Sequence, residues 1–120
     1  MPPATSPPAE ESVTLDFTHP LFLHPSDTPG MVLISHQLTG IDNYIVWSRS
    51  LRIALLAKNK LGFIDDDCRR ESYSQSSLQK QWDRCNAVVL SWLINSVSKE
   101  LSAGIVFAFS AAVVWADLKE

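Results

Sequence analysis

A chain of 120 residues has room for one domain. Its 46% apolar content and four Trp exclude a wholly disordered chain. A net charge of −3 excludes a surface given over entirely to nucleic acid.

In chain order, residues 1–16 are rich in Pro, Ser and Glu and read as a disordered tail, because they cannot bury enough apolar surface to offset their ordering entropy. Residues 17–41 read as an extended arm. Pro20, Pro25 and Pro29 keep it extended or turning, and Leu21, Phe22 and Leu23 are apolar enough to dock on a domain. Met31 to Ser35 reads as one short strand or as more extended arm, and Gly40 punctuates before the first helix.

Residues 42–120 are expected to fold as a helical domain. Asn43 to Gly62 is the organising stretch: Asp42 or Asn43 is placed to cap it, and Gly62 to end it in a left-handed turn. Lys58 and Lys60 suit the negative end of its dipole. Tyr44, Trp47, Leu51, Ala54 and Leu55 share one face at helical spacing; Val46, Ile53 and Ala57 form a second apolar face, so packing is expected on both sides. Arg49, Arg52 and Asn59 fill the polar strip between. Phe63 to Ser76 reads as a loop, with Leu61 to Ile64 closing one end of the domain. A second helix, Leu78 to Val97, carries Leu78, Trp82, Cys85, Val89, Leu93 and Val97 on a wide apolar arc with Leu90, Trp92 and Ile94. Ser98 is placed to cap a third helix, Lys99 to about Phe107, and Ser110 a fourth with Val114, Trp115 and Leu118 apolar. The chain reaches Glu120 without a helix stop signal, the pattern expected of a domain truncated at its C-terminus.

Motifs for catalysis are missing from the sequence: there is no G-x-G-x-x-G, G-x-x-x-x-G-K-[ST] or G-x-S-x-G. His19, His24 and His36 sit in the arm without a helical H-x-x-x-H pair, so local hydrogen bonds are expected rather than a metal site. Asp65, Asp66 and Asp67 lack the Gly and distal Glu of a calcium loop. Cys68 and Cys85 have no C-x-x-C partners and read as free thiols, Cys85 on the buried helix face. No catalytic residue, metal or cofactor is expected. Arg49, Arg52, Lys58 and Lys60 make one helix basic and are the candidate contacts for weak, sequence-blind nucleic-acid binding. There is no secretory signal and no apolar run long enough for a membrane span, so the expected setting is cytoplasmic, with the nucleus as the alternative.

The assembled pattern resembles the N-terminal Gag region of plant copia-type LTR retrotransposons. The resemblance lies in H-P-L-F-L-H-P-S-D-T-P-G (His19 to Gly30), L-T-G-I-D-N-Y-I-V-W-S-R-S-L-R-I-A-L (Leu38 to Leu55) and K-N-K-L-G-F-I-D (Lys58 to Asp65). It continues through W-D-R-C-N-A-V-V-L-S-W-L-I-N-S-V-S (Trp82 to Ser98) and V-W-A-D-L-K-E (Val114 to Glu120). Two departures stand out: Asp66 takes the place of the family's usual Gly, and Val113 and Val114 stand where a polar residue usually precedes the last Trp. The family's C-terminal C-x-x-C-x-x-x-x-H-x-x-x-x-C knuckle is not in these residues.

The expected fold is mainly α: a small helical bundle, like the N-terminal part of a retroelement capsid, with an extended, partly disordered N-terminal arm. The family-motif core is Tyr44, Trp47, Leu51, Leu55, Gly62, Phe63, Trp82, Cys85, Asn86, Leu90, Trp92 and Trp115, with Val89 and Leu93 added by periodicity. The resemblance implies a non-enzymatic structural protein that self-associates as a capsid subunit around element RNA. The other readings are a host-adopted protein- or RNA-binding adaptor and an inert relic of a decayed element. Trp92, Ile94, Phe107, Phe109 and Trp115 exceed what short helices readily bury, and Phe107 and Phe109 are the candidates for self-association.

Overall fold

A computed structural model of the chain describes residues 15–103 and 110–118. Among the described residues four α-helices form: α1 (Tyr44–Ala57), α2 (Ser76–Asn95), α3 (Lys99–Ser102) and α4 (Ala111–Leu118). No named strand occurs among the described residues, and Met31 to Ser35 has no regular structure and continues the arm, the second of the two alternatives. Most of the tail, and Phe107 and Phe109, lie outside the described residues.

α1 forms where expected, but both its ends differ from the sequence reading. Asn43 holds the N-cap position without capping. Its Oδ1 accepts from the Thr39 amide at 3.1 Å and its Nδ2 donates to the Gln37 carbonyl at 2.8 Å, so it fastens the arm. At the other end the helix stops before Gly62. Asn59 adopts φ 59°. The Lys60 amide reaches the Leu55 carbonyl at 2.8 Å, and the Asn59 amide reaches Leu56 at 3.0 Å. This is a Schellman stop with Asn in the left-handed place, which a short polar side chain tolerates.

Gly62 has another role. It lies in the short 3-10 turn Leu61–Phe63, and a Cβ there would stand 2.9 Å from the Cβ of Cys68. The glycine is needed for close approach of two loop segments, not for left-handed backbone. The left-handed turn residue is Asp66, at φ 70°. That is a conformation glycine adopts without steric cost, consistent with the glycine usual there in the resembling family.

α2 ends at Asn95 rather than Val97, because Ser96 to Ser98 turns out to pair with the arm. The Leu38 amide donates to the Ser96 carbonyl and the Ser98 amide to the Leu38 carbonyl, both at 2.9 Å, making an isolated parallel bridge. The Ser96 carbonyl also accepts from Trp47 Nε1 at 2.8 Å. Trp47 then stacks on Trp115 of α4, with centroids 5.5 Å apart. α4 packs along α2. Buried Asn86 on α2 accepts from the Ala111 amide at 3.0 Å, satisfying a first-turn donor of α4. The expected caps are present: Ser98 accepts from Leu101 and Ser110 from Val113.

The core joins Trp47, Leu51, Leu55, Phe63, Cys85, Val89, Trp92, Leu93 and Trp115 with Leu21 and Leu38 of the arm. Tyr44, Trp82 and Leu90 are only partly buried against it. Trp82 leans on Phe63 at 5.4 Å and donates through Nε1 to the Cys68 carbonyl at 3.0 Å. Trp92 and Trp115, expected to leave surplus apolar surface, are buried. The second face of α1 is the opposite case. Val46, Ile53 and Ala57 are exposed, as are Ile45 and Leu56 beside them, so α1 is packed on one side only.

Trp47→Ala should lower stability by about 3–5 kcal/mol, the range for emptying a large aromatic core site. Trp82→Ala should cost less. Gly62→Ala should lower the melting temperature through overpacking worth about 1–3 kcal/mol. Gly30→Ala, where a Cβ meets nothing within 4 Å, is the control and should melt like the parent. Thermal denaturation of the four variants checks all of this.

Candidate interaction surface

The arm lies on the helices as a partner segment would, and its backbone explains how it is held. Its prolines prevent a regular ladder, so its carbonyls need other donors. Side chains supply them. Asn59 Nδ2 donates to the Thr18 carbonyl at 2.8 Å, Gln81 Nε2 to Leu21 at 2.9 Å and Lys60 Nζ to Phe22 at 2.6 Å. Trp92 Nε1 reaches the Thr28 carbonyl at 2.7 Å and Asn95 Nδ2 reaches Pro29 at 3.0 Å. Leu21, fully buried, anchors the segment. Residues such as Asn59, Gln81 and Asn95 escape sequence reasoning, since a polar residue on a helix flank gives no sign of a distant carbonyl.

One ion pair closes the arm onto α1. Lys58 Nζ stands 2.9 Å from Asp27 Oδ1, and Asp27 Oδ2 accepts from the His24 amide at 3.0 Å. Burial pushes the Asp27 carboxyl up. Hydrogen bonds from Lys58 and the His24 amide, with the charges of Lys58 and Lys60, outweigh it and hold the group below the ordinary carboxylate range.

The four candidate nucleic-acid cations are therefore not one exposed strip. Lys60 is 1% exposed. Burial holds its ammonium below the ordinary lysine range, with neighbouring Cys85 and Asp27 opposing the shift. Lys58 is engaged by Asp27. Arg49 and Arg52 alone of the four lie exposed, on the outward side of α1 among Ile45, Val46, Ile53 and Leu56.

The thiols are placed as inert groups. Burial pushes Cys85 up to about 11, and its Sγ donates to the Leu21 carbonyl at 3.2 Å. Cys68 is raised by burial and lies 3.6 Å from the Tyr73 hydroxyl. Raised thiols hold little thiolate at neutral pH and make poor nucleophiles. His19 and His24 make the local contacts expected of arm histidines, His19 Nδ1 accepting from the Leu21 amide at 3.0 Å and His24 Nδ1 lying 3.1 Å from Ser26 Oγ. Among the described residues no group of three His, Cys, Asp or Glu is placed to hold a metal, and no helix is long and apolar enough to cross a membrane.

Residues 24–69, which run from the arm through α1 to the acidic turn, match the family model described as Gag-polypeptide of LTR copia-type. That bears out the resemblance over this segment. No curated protein and no solved structure matches the chain.

Two predictions follow from the clamp and the basic pair. Because Asp27 is depressed in the folded state, its stabilisation is complete above the unfolded value of 3.8 and disappears as pH falls through the lower folded value. The melting temperature of the parent should therefore drop through that acid range more steeply than that of Asp27→Asn. With only two exposed arginines on α1, single-stranded RNA should bind there weakly, with Kd of about 10⁻⁴–10⁻⁶ M, and with a log–log salt slope near about −1.4 for two phosphates. Fluorescence anisotropy over a salt series measures both.

Proposed function

Because residues 24–69 carry the copia-type Gag-polypeptide signature, we propose that this chain is a non-enzymatic, Gag-like structural protein whose helical domain associates with copies of itself, as a capsid subunit does. The observation that carries the reading is that match. The fold supports it in a specific way. The matched segment contributes the clamped arm and α1, and α1 turns one apolar side inward and leaves another exposed. The groups that could do chemistry serve packing instead: Lys60 and Cys85 both hold arm carbonyls. The partners proposed are a second copy of the chain and, weakly and without sequence preference, retroelement RNA. The compartment proposed is the cytoplasm.

Many small contacts acting together assemble a particle, so each pairwise affinity can be modest. Sedimentation velocity on the 120-residue chain should show dimers or larger species at about 10–100 μM, corresponding to about −5.5 to −7 kcal/mol of association free energy. A single monomeric boundary up to millimolar protein would overturn the self-association reading.

A further inference from the structure

We propose that the outward face of α1 and the acidic groove beside it form one twofold contact between two copies of this chain, each copy's helix face seated on the other's groove. The inference rests on the self-association reading and names its surface.

Start from what α1 leaves uncovered. Ile45 is 78% exposed, Leu56 65%, Val46 61% and Ile53 59%, all on the same side of the helix. A contiguous aliphatic patch of this kind on a small domain marks a contact surface. Its charge is of one sign. Tyr44–Ala57 contains no acidic residue, and Arg49 and Arg52 project among the aliphatics. Neither arginine makes an ion pair among the described residues. A phosphate backbone would pair with the arginines but leave the aliphatics wet. The surface that covers both must offer apolar groups with carboxylates at their edge.

The chain carries that surface itself. A groove of about 490 Å³ runs between the Ile64–Asp66 turn and α4. Its apolar side includes Val113, 53% exposed, with Ala112 and Ala116. Asp65 and Asp66 supply the acidic edge: Asp66 pairs with exposed Arg69 at 3.0 Å, whereas Asp65 makes no ion pair among the described residues and is the carboxylate open to a second copy. Arg52 lines the same groove, so the basic apolar face and the acidic apolar groove adjoin. Two complementary halves side by side are what an isologous contact requires, since residue i of one copy meets j of the other while j meets i. Val113 also acquires a use: its neighbour Val114 is fully buried in the core, whereas Val113 faces the groove.

Sedimentation of the full chain at physiological salt, with three variants, tests this. Ile53→Ser with Leu56→Ser should weaken association at least tenfold, and the melting temperature should hold because both residues are exposed. Arg49→Glu with Arg52→Glu should be monomeric at concentrations where the parent dimerises. Asp65→Lys with Asp66→Gly should be monomeric too, the glycine suiting the left-handed backbone there. Mixed one to one, these last two should dimerise again, because each then carries the other's complement; a misfolded variant cannot give that result. If the parent associates and all three variants associate equally well, the surface is wrong while the self-association reading stands. If the arginine pair proves necessary for RNA retention but not for association, the face serves nucleic acid and the inference fails. If the parent stays monomeric to millimolar concentration, the reading beneath it fails and takes the inference with it.

Discussion

The arm's carbonyl groups set the terms for much of this structure. A segment punctuated by Pro20, Pro25 and Pro29 cannot enter a sheet, yet Leu21 must be buried for the core to close. Burying an unsatisfied carbonyl costs about 1–3 kcal/mol. Lys60, just past α1, and Gln81 and Trp92 of α2 satisfy half-buried arm carbonyls, and Asn59 and Asn95 hold two further ones at the surface. Each bond ties residues far apart in sequence, so the arm is part of the domain in energetic terms although it has no regular structure of its own.

Satisfying that constraint decides which charges remain for other work. Lys60 reaches the Phe22 carbonyl from inside the fold, and Lys58 neutralises the shielded Asp27 carboxylate. Both are removed from the basic face that the sequence places on α1. A buried ammonium close to the Cys85 thiol resembles the start of a reactive site. Yet the thiol stays protonated, because burial dominates over the nearby positive charge. The same desolvation that makes the clamp firm keeps its groups chemically quiet.

How much could be read in advance follows from the range of each interaction. α1, α2 and the caps at Ser98 and Ser110 were legible because periodicity and capping are local. Trp47, Leu51, Leu55 and Trp115 were legible as core for the same reason. The sequence points to Gly62 for the stop that Asn59 makes, since both residues tolerate a helix end and only the approach of Cys68 explains the glycine. Lys60 could not be recognised as buried: its partner is a backbone carbonyl, which has no sequence signature. The second apolar face of α1 was legible as apolar. Whether it turns inward depends on how many neighbours the helix finds, and periodicity does not contain that number.

That last point bears on why α1 keeps two apolar sides at all. A helix that is apolar well beyond one stripe is ordinarily enclosed. Here the Trp47 stack and the Leu51–Leu55 side are enclosed, and the Ile45–Leu56 side is not. The arm's polar contacts are taken up at the two ends of α1 and along α2, not on the open side. α4 does not cover it either, since Trp115 draws that helix toward the enclosed face. Among the described residues, the arm and α4 are thus both held elsewhere by specific polar or aromatic contacts. Residues 24–69, the segment with the Gag-polypeptide match, contain both the open helix face and the Asp65–Asp66 edge of the groove. The described chain thus leaves an aliphatic, arginine-bearing helix face open beside carboxylates, and these are the two surfaces that the proposed self-contact would bring together.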